Sequence, residues 1–199
     1  MDTSGQFALA YALTTTAGLR GFLTLFAASV AAHYHWIHPS GSFAWLGSDT
    51  TTAVLGVFAL LEIVADKIPA VDHALHAVSF AVRPLAGAIL VGGTIHADNP
   101  GTLYSLMALG ALNTLVVHSS SAAARAASTV GTFGAANAPI SFGEDATAIG
   151  GIILAFLHPY IAAALAALFV LVLLVLAFFW LRALRHRSRA STSSGSTTT

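Results

Sequence analysis

A long uncharged apolar segment near the carboxyl end most limits what this chain can fold into. Residues 160–181, YIAAALAALFVLVLLVLAFFWL, contain no charged side chain. A helix needs about 20 mostly apolar residues, within a range of roughly 17–25, to cross the hydrocarbon core of a bilayer. The whole chain is 56% hydrophobic and only 8% charged, whereas soluble domains carry about 25% charged residues. The sequence therefore predicts an integral membrane protein.

Several classes of chemistry are excluded by the residues that are missing. The chain has no cysteine, so disulfides, thiolate metal sites and cysteine nucleophiles cannot form. Its formal net charge is zero, which argues against a nucleic-acid partner. No GxSxG, GxxxxGK[ST] or GxGxxG pattern occurs, so no hydrolase, P-loop or dinucleotide site is indicated. We expect no cofactor.

Six segments have the length and apolarity of membrane-spanning helices. They are residues 6–32, 51–67, 84–97, 102–127, 141–157 and 160–181. The predicted fold is therefore all-α, a polytopic membrane helix bundle with about six transmembrane helices. A first segment without a preceding basic residue does not fit a cleaved signal peptide, so we expect it to be retained. We predict one membrane domain over residues 1–181, followed at 182–199 by a basic and then Ser/Thr-rich disordered cytoplasmic tail.

A shorter segment, AVDHALHAVSFAVR at residues 70–83, has a different pattern. Asp72, His76, Ser79 and Arg83 recur at intervals of three or four residues, so they lie on one face of a helix. The pattern predicts an amphipathic helix at the inner membrane interface. Proline at position 84 then predicts that the third span begins there.

Arginines after the last span predict the orientation of the chain. The tail begins RALRHRSR from residue 182, and basic flanks stay on the cytoplasmic side. Six spans then place segments 68–83 and 128–140 on the same side, with both termini cytoplasmic, in the cell membrane. Loops at 33–50 and 98–101, which lack Lys and Arg, fall on the opposite side. An odd number of spans would place the amino terminus outside.

Two similar heptapeptides raise the possibility of an internal repeat. TTTAGLR at 14–20 and SSSAAAR at 119–125 share three hydroxyl residues, three small or apolar residues and an arginine. Three spans in each half would make this a 3+3 inverted repeat, as in many secondary transporters. Small residues also serve ordinary close packing of membrane helices, so the similarity has a purely structural explanation as well.

Charged residues within or beside the spans are the candidate functional residues, because an unpaired charge in the bilayer is costly. Each could bind a substrate or ion, or form a structural ion pair. Arg83, Arg125, Asp66 and Lys67 also suit solvated positions at the membrane edge. The candidates for substrate or ion binding are Arg20, Glu62, Asp66, Lys67, Asp72, Arg83, Arg125, Glu144 and Asp145.

Glu62 is the strongest candidate for a proton or cation site. It lies about one turn deeper than Asp66, and their spacing of four residues places both carboxylates on one helix face. Two close carboxylates raise the pKa of one of them, as proton coupling requires. A salt bridge from Glu62 to Arg20 or Arg83 would keep it ionised and structural. Glu144 and Asp145 begin the predicted fifth span, where their carboxylates would interact favourably with the positive end of the helix dipole.

Nine histidines invite a metal hypothesis, which the spacing does not favour. His73 and His76 are three residues apart and His118 lies in the fourth span, but no HExxH pattern occurs. We predict no metal site.

The motifs GLRGF (18–22), LEIVADKIPAVD (61–72), RPLAG (83–87), HSSSAAARAA (118–127) and SFGED (141–145) together resemble a known family. It is the bacterial membrane-protein family called domain of unknown function 4126. The resemblance covers about residues 10–181. It implies a membrane domain whose charged motifs belong together, and it implies no activity or substrate.

The sequence favours a small transporter or channel-like protein for a small polar or ionic solute, with proton coupling through Glu62 as an option. An enzyme acting on a lipid or lipid-linked substrate is a second hypothesis, with Asp72, His73 and His76 in acid–base or metal-assisted roles. A non-catalytic scaffold is a third. The expected partners are the lipid bilayer and a small solute or ion. The small residues of GAILVGG at 87–93 suit close helix packing within one chain or between copies. The sequence therefore does not decide whether the protein is a homo-oligomer.

Overall fold

The computed structural model describes residues 1–39, 41–65, 69–132 and 137–194, with side chains masked at 69–77, 180–181 and 183–194. Throughout these ranges the secondary structure is helical, which confirms the all-α prediction. The elements are α1 Thr3–Leu19, α2 Gly21–His33, a 3₁₀ helix Gly41–Gly47, α3 Asp49–Ala65, α4 Pro69–Thr94, α5 Pro100–Thr132, α6 Asn137–Leu157 and α7 Pro159–Ser194.

Three of the described helices are long and apolar enough to cross a membrane: Pro100–Thr132, Asn137–Leu157 and Pro159–Phe179. A fourth span results if the 3₁₀ helix and α3, which are bent by 66° relative to each other, count as one. A mean hydropathy of 3.1 in α7 makes this helix the most apolar of the three. These helices support a membrane protein, whereas the predicted count of six spans is not confirmed.

The segment predicted as the first span forms two helices that fold back on each other. Arg20 alone separates α1 from α2, with extended backbone angles of φ −140° and ψ 94°. Thr16 and Thr24, on either side of this break, bring their hydroxyl oxygens within 3.5 Å of each other. At the break, the Gly18 carbonyl accepts a 2.7 Å hydrogen bond from Arg83 of α4. We call residues 19–21 the hairpin tip.

The far ends of the hairpin meet the opposite end of α4. In the first turn of α1, the Gln6 side chain accepts a 3.0 Å hydrogen bond from the His96 amide. After α2, the 3₁₀ helix packs Phe43 and Leu46 against Gly92 and Gly93. Both legs therefore return to the same end of the molecule, which we call the hairpin base. A single crossing helix over residues 6–32 was a wrong prediction, because the chain reverses at Arg20.

Successive helices after the hairpin alternate in direction. Arg83 and Gly87 of α4 lie beside His118 and Gly110 of α5, respectively, so these two helices are antiparallel. Within α7, Ala162 packs near the hairpin base, while Phe169 and Leu173 pack against Leu19 near the tip. The carboxyl end of α7 therefore leaves the bundle on the tip side.

The two similar heptapeptides do not show an inverted relation. Asn113 donates 2.9 Å hydrogen bonds to the hydroxyls of Thr14 and Thr15, and Val117 packs at Gly18. Residue numbers thus increase together along α1 and α5, so the helices are parallel, whereas inversion would make them antiparallel. The first heptapeptide also ends at a helix break, while α5 continues beyond Arg125.

Helix α4 joins two elements that the sequence separated. It runs from Pro69 to Thr94 with Pro84 inside it, so the separate interfacial helix at 70–83 and the start of a span at 84 were wrong predictions. An internal proline costs about 3 kcal/mol. Contacts on both sides offset this cost, since Arg83 and Ala86 pack at Gly21, and Gly87 lies directly against α5.

The remaining helix boundaries differ from the predicted ones by several residues. Helix α6 begins at Asn137, so Glu144 and Asp145 lie inside it rather than at its start. Helix α7 continues to Ser194, through part of the stretch predicted to be a disordered tail. Residues 195–199 lie outside the described ranges.

Candidate functional site

Six charged side chains from separate parts of the chain meet at the hairpin tip. Arg20 comes from the helix break, and the others are carried by α3, α4, α5 and α6. We call this set the charged cluster. Its members are Arg20, Glu62, Arg83, Arg125, Glu144 and Asp145.

Arg20 is the innermost member of the cluster, with 1% of its surface exposed. Its Nε donates to Asp145 Oδ1 at 2.6 Å, and its Nη2 donates to the Ser141 hydroxyl at 3.1 Å. The same Nη2 lies 3.9 Å from Glu144 Oε2. Arg20 therefore attaches the hairpin tip to one face of α6, where two carboxylates and a hydroxyl surround its guanidinium group.

Glu144 joins the tip region to α5. Its Oε2 accepts a hydrogen bond from Arg125 Nη2, and its Oε1 accepts one from the Ser121 hydroxyl. Because Arg20 lies close to Oε2 as well, this carboxylate is shared by two guanidinium groups. Glu144 and Asp145 are adjacent in sequence, yet they bind mainly to different arginines because neighbouring residues point in different directions from a helix.

Glu62 caps the amino-terminal end of α2. Its Oε1 accepts a 2.9 Å hydrogen bond from the Gly21 amide, and its Oε2 accepts a 3.1 Å bond from the Leu23 amide. The first amides of a helix have no partner within the helix, and the preceding residue, Arg20, supplies no side-chain cap. A carboxylate from α3 thus satisfies two backbone donors that the break leaves exposed.

Arg83 joins the end of α1 to the carboxylate that caps α2. Its Nη1 donates to the Gly18 carbonyl at 2.7 Å, and its Nη2 lies 3.8 Å from Glu62 Oε1. Nη1 also lies 2.7 Å from His118 Nδ1. Arginine has only donors, so His118 accepts at Nδ1 and is neutral in this arrangement. The Phe80 ring covers the imidazole edge-on at 4.6 Å.

Among the residues that the structure describes, the charges of the cluster are balanced, with three guanidinium groups and three carboxylates. Arg83 and Arg125 are only 5% and 6% exposed, so they are buried partners rather than solvated anchors at a membrane edge. A charge removed from water needs close opposite charge and hydrogen bonds. The balanced set supplies both, which explains how a polar tip can lie among apolar helices.

The structure brings together six of the nine candidate residues predicted from the sequence. Asp66 and Lys67 lie outside the described residues, as does the side chain of Asp72. Sequence reasoning missed the contributions of His118, Ser121 and Ser141, and those of the backbone at the break. Glycines on both sides of Arg20 in GLRGF were the available signal, since glycine favours helix ends.

Two cavities lie along the contact of α1 with α6 and α7. One has a volume of about 230 Å³ and reaches Ser121 and Glu144 of the cluster region. The other, about 380 Å³, extends toward the hairpin base between Ala12 and Leu154. Leu19, Thr147 and Phe169 line both, so the two cavities are neighbours. Within the described ranges, no three potential metal ligands come together.

The fold and the site define a helical integral membrane protein with a buried, charge-balanced cluster at the tip of a helical hairpin. The family model called "Domain of unknown function (DUF4126)" matches residues 7–180. The chain belongs to this family. No curated protein and no solved structure matches it.

Proposed function

We propose that the protein is a small transporter or channel-like protein for a small polar or ionic solute, which passes at the charged cluster. The observation that carries this proposal is the gathering of six charged side chains around a helix break. Broken helices expose backbone donors and acceptors that can bind a solute, and they occur at the binding sites of secondary transporters.

The depth of the hairpin tip supports this role. From Pro159 to Arg182, α7 rises about 35 Å, which is enough to cross the roughly 30 Å hydrocarbon core. Helix α1 has 17 residues and rises only about 25 Å from the hairpin base. The tip therefore ends within the depth that α7 crosses. A re-entrant hairpin of this kind places polar backbone inside the bilayer, shielded by the neighbouring helices.

The proposal includes an orientation for the chain. The arginine-rich tail leaves on the tip side, and basic flanks favour the cytoplasm, so the hairpin base faces outward. At that base the Tyr160 hydroxyl donates to Asp2 Oδ2 at 3.0 Å. In the proposed orientation this contact supports an amino terminus on the outside, whereas the sequence predicted two cytoplasmic termini. Since the chain has no cysteine, single substitutions Thr3→Cys and Thr198→Cys allow labelling with an impermeant maleimide. Labelling of intact cells only at position 3 supports this orientation.

The transport proposal is tested by flux measurements in proteoliposomes. Potassium, protons, chloride and nitrate serve as probes, and empty vesicles give the background. We expect wild type to exceed this background for at least one probe. Arg20→Lys keeps the charge but loses the planar fork that binds Asp145 and Ser141, so this flux falls about tenfold or more. Asp98→Asn, an exposed change at the hairpin base, serves as the control.

Two results separate transport from a scaffold role. Flux equal to empty vesicles for every probe, together with a large loss of thermal stability in Arg20→Lys, contradicts the transport proposal and favours a scaffold. Flux that falls in Arg20→Lys, while its melting temperature stays near that of Asp98→Asn, supports transport.

A further inference from the structure

We propose that the first amides of α2 and the Arg83 guanidinium form a binding site for a small monovalent anion such as chloride, which the Glu62 carboxylate occupies as a tethered competitor. This inference rests on the proposed function, because it names the class of solute that the cluster binds. Glu62 occupies the site in the structure, and a free anion binds when that carboxylate withdraws.

The geometry around Glu62 is that of a bound anion. Two amides of one helix turn, those of Gly21 and Leu23, donate to the two oxygens of a single carboxylate. A helix amino terminus carries about half a positive charge, and its amides bind anions in many proteins. Only a tether to α3 distinguishes this carboxylate from a free anion at the same position.

Arg83 adds a second, independent feature to the site. This residue is only 5% exposed, and its Nη2 lies 3.8 Å from Glu62 Oε1. Its Nε is buried and has no hydrogen-bond partner among the described residues. The Arg83 guanidinium is thus close to the carboxylate without a hydrogen bond to it, and it keeps donor capacity for an anion that differs from Glu62 in size and position.

Charge balance favours a monovalent ligand. Among the described side chains, the cluster has three arginines and three carboxylates while Glu62 occupies the amides. Withdrawal of Glu62 from the site leaves three positive and two negative groups around it, and one monovalent anion restores neutrality. A divalent anion would leave an excess negative charge in a buried region, which is costly.

Space at the site also favours a small ligand. An added methyl group at Gly21 would lie 3.2 Å from Arg83 Cγ, so the absence of a side chain there lets Arg83 approach the amides. The Glu62 side chain is 11% exposed, so protein does not enclose it completely. An ion that replaces the carboxylate at these amides would therefore be of similar size.

The experiment compares full-length wild type with Glu62→Ala in detergent, in potassium chloride, potassium nitrate or potassium gluconate at equal ionic strength. Gluconate, a much larger anion than chloride or nitrate, is the reference salt. In Glu62→Ala we expect saturating chloride or nitrate to raise the melting temperature by about 5 °C over gluconate, because binding stabilises the folded state. Wild type melts at the same temperature in all three salts, because its own carboxylate fills the site.

Glu144→Ala is the matched control. It also removes one carboxylate from the cluster, but Glu144 binds the side chains of Ser121 and Arg125 rather than helix amides. We expect it to melt lower than wild type, with no difference between chloride and gluconate. An equal chloride response in both variants would show general charge compensation and overturn the proposed site.

The remaining outcomes also decide the question. If Glu62→Ala is misfolded in gluconate, recovery of monodisperse protein in chloride or nitrate supports the site, and failure in all three salts overturns it. A folded Glu62→Ala without any anion response overturns it as well. Chloride binding without flux in proteoliposomes supports the site and contradicts transport. Flux without anion binding supports transport and overturns the site.

Discussion

The two ends of the α1–α2 hairpin are held by different forces. At the tip, buried ion pairs join Arg20 to Asp145 and Arg125 to Glu144. At the base, apolar packing around Leu46 is joined by neutral hydrogen bonds, such as those of Ser29. The base also has a 3.2 Å contact between His33 Nδ1 and Asp49 Oδ1, but 89% of the Asp49 side chain is exposed.

This difference shows where the molecule is sensitive to change. Breaking a buried ion pair leaves an uncompensated charge, which costs far more than the intact pair contributes. Removing a neutral hydrogen bond or an exposed ion pair costs much less. Single substitutions at the tip should therefore cause a large loss of stability, whereas single substitutions at the base should cause small losses.

The largest expected effect is that of Arg20→Gln. The change leaves Asp145 and part of the interaction at Glu144 without a positive partner, so the free energy of unfolding falls by about 3–5 kcal/mol. Unfolding in mixed detergent, followed by circular dichroism, measures this loss. Arg182→Gln, at an exposed position beyond the cluster, should change the same quantity by less than about 0.5 kcal/mol. Similar effects of both changes would contradict the comparison.

A packing change between tip and base should have the next largest effect. A methyl group at Gly87 would meet the Gly110 carbonyl at 2.6 Å, and this backbone atom can move only with α5. Gly87→Ala should therefore cost about 1–3 kcal/mol. At Gly150 an added methyl group meets nothing within 4 Å, so Gly150→Ala should stabilise the helix by about 0.5–1 kcal/mol. Thermal unfolding that shows the same sign for both would refute this prediction.

Ser29→Ala tests the base of the hairpin. Its hydroxyl lies 2.6 Å from the Leu46 carbonyl and 2.8 Å from the Thr52 hydroxyl. Loss of these bonds should lower the free energy of unfolding by about 1 kcal/mol. Ser105→Ala, whose hydroxyl is on the exposed side of α5, is the control and should show a smaller change. A loss above about 3 kcal/mol at position 29, the size expected for a buried ion pair, would mean that the base is as sensitive as the tip.

The smallest expected effect is that of Tyr160→Phe. This change removes the exposed bond to Asp2 and should lower the free energy of unfolding by no more than about 0.5 kcal/mol. The same detergent titration checks it beside Asp2→Asn, which keeps an acceptor oxygen. A larger loss would show that the amino terminus is a structural part of the base.

Much of the helical structure could be predicted because apolar composition alone indicates it. Predicted segments at 51–67 and 160–181 correspond to α3 and the first part of α7. Six of the charged residues selected for their cost in a bilayer do meet in the structure. Their meeting follows from the same physics, since each buried charge needs a partner.

The reversal at Arg20 could not be predicted from apolar composition. Hydropathy averaged over a sequence window carries no information about the direction of the chain. Two short antiparallel helices and one long helix therefore give the same average. The choice of partners was also hidden, since it depends on the rotation of α6. Similarly, Pro84 indicated a helix start, but contacts of Arg83 and Gly87 with α1 and α5 maintain a continuous helix.

The distance in sequence between Arg20 and Asp145 has a consequence for synthesis. The two residues are 125 positions apart, and a ribosome adds about 5–20 residues per second. Arg20 therefore emerges roughly 6–25 s before the carboxylate that binds its Nε. During this interval the nascent hairpin cannot settle in lipid with its charge compensated by α6. We expect the insertion machinery to hold the hairpin in a wet environment until the sixth helix arrives, so that the first part of the chain to be made is among the last to reach its final position.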